Sequence, residues 1–223
     1  MMNTDIQHRL VAFLSRYVSE NKRKLILEKI RHRTRHITAV MEDIYQPQNA
    51  SAVIRTCDCL GIQDIYVFEN QNRYRLNPDV SLGSAKWVQL HRSTGMSIDQ
   101  LYQELRQKGY LMAATTPHKE GCIPEEIPLD RKVAFVFGRE LEGLSGDAIQ
   151  AADLYVNIPM FGFTESYNIS VSAAIILYTV IRRMKASDVK WELQGEEADE
   201  VQLFWLRNII KRADLLEKEF FRQ

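Results

Sequence analysis

Residues 133–145 read VAFVFGRELEGLS, an apolar run that ends in a turn with glycines at positions 138 and 143. The run Val133–Phe137 is typical of a strand that is buried on both faces of a parallel sheet. Gly138 and Gly143 have the spacing of a phosphate-binding P-loop, but Leu144 stands where that loop requires lysine. A G-x-G-x-x-G dinucleotide fingerprint is absent as well. What remains is a sharp glycine turn that bears a carboxylate, Glu140, at the end of a strand.

Apolar strands alternate with helical patterns on both sides of this turn. The predicted strands are His36–Met41, Asp64–Phe68, Lys86–His91, Tyr110–Thr115, Val133–Phe137 and Leu154–Ile158. The first predicted helix begins at a capping box at Thr4, and the second begins at Asn21. Further helices are predicted at Pro47–Leu60, Ser97–Lys108, about 168–184 and Glu200–Phe221. Asn70–Gly83 is predicted to be a loop.

This alternation predicts an α/β domain with a mainly parallel sheet over residues 36–185. A basic helical arm, residues 1–35, precedes the domain, and a helical extension, residues 186–223, follows it. Ligands of such sheets bind at the carboxyl ends of the strands, so the loops there are the candidate sites.

The loop after the strand Leu154–Ile158 runs into the long helix through Ser166, Tyr167 and Asn168. Small polar side chains and free backbone donors at a helix start can hold a polar ligand. Plain N-capping of the helix by Ser166 or Asn168 explains the same residues. Both interpretations stay open at this point.

The helix that begins at Pro47 carries Asn49 in its first turn and Arg55 six positions later. At about 100° per residue these two side chains lie about 120° apart around the axis. Arg55 stands in an otherwise apolar stretch, where an unpaired charge is costly. We therefore expect Arg55 to have an anionic partner, either an internal carboxylate or a bound phosphate.

Composition excludes several classes of protein. The chain has 223 residues, of which 45% are hydrophobic and 26% charged, a mixture that excludes wholesale disorder and fibrous repeats. Three cysteines, Cys57, Cys59 and Cys122, predict reduced thiols, and no cluster of ligands predicts a metal site. Residues 1–10 lack an apolar signal core, and the run Ala173–Ile181 is too short to cross a membrane. The expected location is the cytoplasm.

Charge is balanced overall but unevenly spread. Residues 1–40 hold nine basic and three acidic side chains, a difference of +6, so the other 183 residues carry −6. A basic arm indicates a polyanionic partner, although a solvated helix face gives the same pattern. A second basic cluster, Arg182, Arg183 and Lys185, ends the long helix, where cations also interact favourably with the helix dipole.

Three segments together resemble the SpoU/TrmH family of RNA ribose 2′-O-methyltransferases, within the SPOUT superfamily. They are the Asn49-to-Arg55 helix, the glycine turn with Glu140, and Ile158-Pro159-Met160 followed by Ser166, Asn168 and Ser170. The stretches 55–58 and 84–88 are similar to the branch of that family that modifies guanosine 18 of tRNA.

The resemblance implies a trefoil knot near the C-terminal end of the sheet domain, S-adenosylmethionine as cofactor, tRNA as substrate and a homodimer. Apolar residues of the last helix, such as Phe204 and Trp205, are further expected to need a partner surface. The runner-up functions are the same reaction on another tRNA nucleotide or on ribosomal RNA. A catalytically silent RNA-binding module is the alternative from a different class.

The resemblance also implies roles for individual residues. Arg55 would hold an RNA phosphate and stabilise charge on the ribose oxygen, while Asn49 would orient Arg55 or the ribose. Glu140 would anchor Asn49 or Arg55, and Ser166 and Asn168 would shape the cofactor loop. The expected cofactor-binding residues are Thr115, Gly138, Ile158 and Tyr167. The expected RNA-binding residues come from the two basic clusters: Arg31, Arg33, Arg35, Arg182, Arg183 and Lys185.

Overall fold

The computed structural model describes residues 3–70, 77–140 and 142–222. Residues 71–76 of the predicted loop Asn70–Gly83, and Leu141 of the glycine turn, lie outside the described residues. The chain forms two compact units. One combines Met1–Thr34 with Glu192–Gln223, and the other is Arg35–Trp191, which contains the sheet.

The sheet has six strands in the order β3-β2-β1-β5-β4-β6, and every neighbouring pair is parallel. The strands are β1 Ile37–Glu42, β2 Asp64–Glu69, β3 Gln89–Thr94, β4 Tyr110–Thr115, β5 Lys132–Phe137 and β6 Leu154–Val156. The predicted α/β class with a parallel sheet is confirmed. The order reverses where β1 lies beside β5, which is the place where open α/β sheets bind ligands.

The described helices surround this sheet or form the second unit. They are α1 Thr4–Leu14, α2 Glu20–Ile30, α3 Pro47–Leu60, α4 Pro78–Ser81, α5 Ile98–Gln107, α6 Gly146–Gln150, α7 Ile169–Lys185, α8 Glu196–Ile209 and α9 Ala213–Phe220. Sequence patterns missed the short helices α4 and α6. Among the helices that the structure describes, none combines the length and apolar character that a membrane span requires.

Helices cover both faces of the sheet and bury two apolar clusters. On one face α3 and α7 pack over Ala39, Met41 and Phe135. On the other face α5 packs over Val40, Tyr66 and other residues of alternating strand positions. Because side chains alternate along a strand, Glu42 lies on the α5 face with Val40, two positions before it.

Two helix starts differ from the prediction. The cap of α1 is Asn3, whose side chain accepts a hydrogen bond from the Asp5 backbone at 2.8 Å, rather than Thr4. The cap of α2 is Ser19, which accepts from the Lys22 backbone at 3.3 Å, rather than Asn21. Each cap has extended backbone angles, and its side chain reaches a free N–H group two or three residues later.

Strand β3 begins three residues later than predicted, because a 3₁₀ turn occupies Ser84–Lys86 and closes with a hydrogen bond from the Trp87 N–H to the Ser84 carbonyl. Pairing with β2 then sets the strand, with Gln89 opposite Asp64 and Thr94 opposite Glu69. The register between neighbouring strands depends on tertiary packing, and the strand propensity of the local sequence does not determine it.

The single helix predicted for Glu200–Phe221 is two helices, α8 and α9. The chain changes direction at Arg212, whose φ of 64° lies in the left-handed region. Trp205 is buried within its own unit, with the Arg33 guanidinium 5.2 Å from its ring centre. The expectation that Trp205 needs a partner surface was therefore wrong.

The connection between β4 and β5 runs close against β6. Cys122 donates its backbone N–H to the Tyr155 carbonyl at 3.0 Å, and Asn157 donates to the Cys122 carbonyl at 3.1 Å. Gly121 allows this approach, since a Cβ atom at that position would lie 2.4 Å from the Tyr155 carbonyl oxygen. Backbone atoms cannot move aside cheaply, so only glycine fits.

We expect Gly121→Ala to lower the free energy of unfolding by about 1–3 kcal/mol, because the added methyl group overpacks this contact. Gly146→Ala is the matched control, since a Cβ there meets nothing within 4 Å. Urea unfolding of both variants measures the difference. Equal midpoints for the two variants would contradict the close approach at Gly121.

Candidate functional site

Three loops meet at the carboxyl ends of β4, β5 and β6. They border a cavity of about 330 Å³, whose lining includes Thr115, Gly138, Ile158 and Tyr167. All four residues expected at a cofactor site thus line one cavity. Among the expected catalytic residues, Glu140, Ser166 and Asn168 also line it.

Described residues of the glycine turn form one wall of the cavity: Gly138, Arg139, Glu140, Glu142, Gly143 and Leu144. Arg139 and Gly143 exchange backbone hydrogen bonds of 2.9 and 3.0 Å, so the described part of the turn closes on itself. A Cβ atom at Gly138 would lie 2.3 Å from the Gly143 carbonyl carbon and 2.4 Å from the Leu144 nitrogen. A side chain at position 138 is therefore incompatible with this turn.

A chain of side-chain hydrogen bonds links the three sequence segments. Glu140 Oε1 accepts from Asn49 Nδ2 at 2.9 Å and from the Gln46 backbone N–H at 3.2 Å. Asn168 Nδ2 donates to Asn49 Oδ1 at 3.2 Å. Asn168 Oδ1 accepts from the Ser170 backbone at 2.9 Å and from its hydroxyl at 2.7 Å. Because each Asn donates on one side and accepts on the other, both amides have a fixed orientation.

Asn168 caps α7, which confirms the capping interpretation, and it also lines the cavity, where ligand binding stays a prediction. Capping uses its Oδ1 atom, while its amide nitrogen remains for Asn49. Ser166 and Tyr167 are exposed at the cavity rim. Sequence reasoning treated capping and ligand binding as competing explanations, but one amide side chain can serve both.

Arg55 lies on the solvent side of α3, whereas Asn49 is buried. Their separation around the helix axis explains the difference, because α3 packs its apolar residues against the sheet. Within residues 3–70, 77–140 and 142–222, the Arg55 guanidinium has no hydrogen-bond or ion-pair partner. The expected internal carboxylate is thus not seen among them, and Glu140 binds Asn49 instead.

The basic residues before the sheet differ in what they contact. Arg31 is exposed. Arg33 is buried against Trp205, and Arg35 donates from Nε to Asp64 at 2.8 Å. Burial alone would raise the pKa of Asp64, but hydrogen bonds and charges from His91 and Arg35 hold it below the usual value. Arg33 and Arg35 therefore interact with side chains of the same protein, Trp205 and Asp64.

The basic residues at the end of α7 are divided in the same way. Arg182 is exposed, whereas Arg183 Nη1 donates to the Pro124 carbonyl at 2.9 Å and the Ile127 carbonyl at 3.0 Å. The Lys185 ammonium lies 5.1 Å from the Trp191 ring centre, and partial burial lowers its pKa. Arg182 and Lys185 are both exposed, whereas Arg183 is partly buried and bound to the chain's own carbonyl groups.

One residue beside the cavity was missed by sequence reasoning. Glu42 ends β1, is 4% exposed, and accepts a hydrogen bond from the Ser145 backbone at 3.0 Å. Burial raises the pKa of Glu42 against the opposing effect of hydrogen bonds from Ser145. The available signal was an acidic residue directly after the apolar run that predicts the strand His36–Met41.

Comparison with known proteins gives consistent matches. The model of the SpoU rRNA Methylase family matches residues 36–178. A tRNA (guanosine(18)-2′-O)-methyltransferase of Borreliella burgdorferi is 39% identical over 218 residues, which cover 97% of this chain and 98% of that protein. The enzyme of the same name from Thermus thermophilus is 31% identical, covering 85% of this chain and 97% of the relative.

Solved structures agree with the sequence matches. The crystal structure of the Aquifex aeolicus TrmH/SpoU tRNA modifying enzyme aligns with a TM-score of 0.76 at 28% identity, covering 86% of this chain and 98% of the other. The SpoU methyltransferase AviRb from Streptomyces viridochromogenes, solved with the cofactor AdoMet, shares the fold at 22% identity with a TM-score of 0.59, covering 72% and 62%. The chain therefore belongs to the SpoU rRNA Methylase family.

Proposed function

We propose that this protein transfers a methyl group from S-adenosylmethionine to the ribose 2′-hydroxyl of guanosine 18 in tRNA. The observation that carries the proposal is the linked set of Glu140, Asn49 and Asn168 beside the cavity. Similarity to the Borreliella burgdorferi enzyme over nearly the whole length of both chains supports this substrate.

The cavity fits the proposed cofactor in size and chemistry. About 330 Å³ lies within the range of pockets that enclose a ligand of this size. Leu144, Val156 and Ile176 supply apolar wall for an adenine ring, while Gly138 brings main chain to the wall without a side chain. Thr116 and Asn157 add polar groups to the lining. When bound, S-adenosylmethionine supplies an activated methyl group on sulfur.

Alignment of the reacting atoms is the main task left to the protein, because the methyl group is already activated. Asn49 and Asn168 are locked by Glu140 and Ser170, so they can present fixed polar groups beside the cavity. Arg55 extends from the same helix as Asn49 with its guanidinium facing solvent.

Arg55 is proposed to bind the RNA phosphate next to the target ribose and to stabilise negative charge on the 2′-oxygen. A guanidinium has a pKa above about 12 and is a poor base by itself. Loss of the hydroxyl proton would then accompany methyl transfer, with the bound phosphate as a nearby acceptor. The solvent-facing position of Arg55 suits this role, since an internal ion pair would compete with RNA.

A homodimer completes the proposal, because Arg55 does not line the cavity within its own subunit. Large apolar side chains are exposed before and along α7: Phe161, Phe163, Tyr167, Val171 and Tyr178. Contiguous exposed apolar residues of this size favour a protein interface. We place the second subunit over this face, and we propose the trefoil knot of the SPOUT fold and a cytoplasmic location with it.

Ribosomal RNA is the second candidate substrate, since the matching family model is described by that activity. The exposed Arg31 in the helical arm favours tRNA, because a minimal sheet domain has no such arm. The silent RNA-binding module is disfavoured by the hydrogen-bonded set of Glu140, Asn49 and Asn168.

We expect the purified protein to methylate guanosine 18 of unmodified tRNA transcripts, and Arg55→Ala to reduce turnover at least about a hundredfold. Labelled S-adenosylmethionine and nucleotide mapping measure both. Cofactor affinity should stay within about twofold, because Arg55 lies outside the cavity. Arg131→Ala is the control, because this exposed arginine directly precedes β5, at the end of that strand away from the cavity. Methylation elsewhere only, or more than a tenth of wild-type turnover in Arg55→Ala, would refute the corresponding assignment.

We expect the protein to sediment as a dimer at micromolar concentration with and without cofactor. Replacing Val171 and Tyr178 on α7 by Asp should produce monomers, because charges would then be buried at the apolar face. Replacing Leu25 and Leu27 on α2, also exposed, tests for a non-specific effect. A wild-type monomer under these conditions would be incompatible with the proposed assembly.

The two exposed arginines of the basic clusters are expected to contact tRNA phosphates. Each of Arg31→Ala and Arg182→Ala should lower the slope of log affinity against log salt by about 0.7 to 0.9 and leave cofactor affinity unchanged. Arg131→Ala again serves as control, and tRNA binding across a salt series provides the measurement. Slopes equal to that of the wild type would show that these charges are merely solvated.

A further inference from the structure

The carboxylate of Glu42 is attached to the outgoing end of the glycine turn. Its Oε2 atom accepts the Ser145 backbone N–H at 3.0 Å, and the Ser145 side chain helps to lower the pKa of this carboxyl. The Ser145 oxygen in turn accepts from the Ala148 backbone at 3.1 Å and caps α6. One buried carboxylate thus fixes the point where the turn passes into α6.

The other side of the same turn is held by residues that follow Glu42 in the chain. Glu140, within the turn, accepts from Asn49 and from the Gln46 backbone. Segment 42–49 therefore contacts the turn twice, on the α5 face through Glu42 and at the start of α3 through Asn49. Between these two attachments lie Glu142, Gly143 and Leu144, which line the cavity.

A buried carboxylate at position 42 is expected to lower the free energy of unfolding. It is 4% exposed, and a buried carboxylate loses most of its hydration. The groups that face it are Ser145 and Arg139 from the turn, Asp43 from its own strand end and Tyr102 from α5. Burial raises the pKa of Glu42, and the Asp43 charge adds to the rise, while Ser145 and Arg139 oppose it.

The hydroxyl of Tyr102 is buried without a hydrogen-bond partner among the described residues, so it does not compensate the Glu42 charge by such a bond. An ionised acceptor makes hydrogen bonds about twice as strong as a neutral one. The charge of Glu42 is therefore costly to bury but strengthens its attachment to Ser145. The stronger hydrogen bond holds the glycine turn at Ser145.

We propose that Glu42 is a positioning residue, which holds the glycine turn in the shape that binds S-adenosylmethionine. The proposal rests on the proposed function and extends it to a residue outside the lining of the cavity. Its action passes through Ser145 to the cavity wall at Arg139, Gly143 and Leu144. A turn that is already in its binding shape loses less freedom when the cofactor enters.

The test is Glu42→Gln, which keeps the size of the side chain and removes its charge. We expect S-adenosylmethionine, titrated by calorimetry without RNA, to bind about tenfold more weakly. Turnover on tRNA at saturating cofactor should stay within about threefold of wild type, since Asn49 and Arg55 are unchanged. The melting temperature should change by no more than about 4 °C, because the buried charge is removed together with its stronger hydrogen bonds.

Asp43→Asn is the matched control. Asp43 is the adjacent buried carboxylate, and its Oδ1 atom accepts from the Asn70 backbone at 3.1 Å rather than from Ser145. Its removal takes away the same charge without loosening the Ser145 attachment. Cofactor affinity of Asp43→Asn should therefore stay within about twofold of wild type. Ser145→Ala removes the hydroxyl that caps α6 but keeps the backbone N–H that donates to Glu42. It should weaken cofactor binding by a smaller factor and serves if Glu42→Gln fails to fold.

The pH profile separates positioning from simple packing. Above its raised pKa, Glu42 is ionised and binds Ser145 strongly, and as pH falls through that pKa it takes up a proton and the attachment weakens. Wild-type cofactor affinity should therefore decline on acidification by more than that of Glu42→Gln, which has no proton to gain. The same raised pKa means that ionisation of Glu42 costs folding stability at higher pH.

The outcomes distinguish failure of the proposed function from failure of the proposed role of Glu42. Wild-type protein that neither binds S-adenosylmethionine nor methylates RNA would defeat the proposed function itself. Wild-type activity together with unchanged cofactor affinity in Glu42→Gln and Ser145→Ala would overturn the role of Glu42 alone. Equal losses in Glu42→Gln and Asp43→Asn would also overturn it, because they would reflect local charge rather than the turn. A selective loss in Glu42→Gln, absent from Asp43→Asn, supports the proposal.

Discussion

The hydrogen bond between Asn49 and Glu140 is the constraint on which the rest of the site depends. It joins the first turn of α3 to the glycine turn after β5, and through Asn168 it reaches the start of α7. A loop at a strand end has few packing contacts of its own, so polar side chains must fix its position. Glu140 accepts from two donors at once, the Asn49 amide and the Gln46 backbone N–H, so it ties both groups to the turn.

The sequence predicted the sheet, its parallel class and α3 with its end at Gly61 closely, because apolar runs and helix stops are local signals. It misplaced β3 and missed the break at Arg212, both of which depend on packing against other parts of the chain. The four expected cofactor residues line one cavity, yet their grouping came from family resemblance. Local pattern alone cannot bring together segments that are about a hundred residues apart.

Charge was the least informative part of the sequence. The two basic clusters have similar sequence composition. In the structure, however, Arg33 packs against Trp205, Arg35 binds Asp64, and Arg183 binds two carbonyl groups. Arginine suits such intramolecular contacts, because the N–H groups of its planar guanidinium can donate to several acceptors at once. Conversely, Arg55 was expected to have an anionic partner, either an internal carboxylate or a bound phosphate, because its neighbours in sequence are apolar. Neighbours in sequence lie on different sides of a helix, and Arg55 faces solvent.

Two requirements meet at the glycine turn and explain its composition. Gly138 is needed where the backbone folds back against Gly143 and Leu144, so this position cannot carry a side chain for binding or rigidity. Rigidity must then come from outside the turn, through Glu140 to Asn49 at one point and through Glu42 to Ser145 at another. Both attachments come from segment 42–49, which leads directly into the helix of Arg55. The wall of the cavity and the helix that bears the proposed catalytic arginine are thereby held by the same short piece of chain, so a shift of this segment moves both of them.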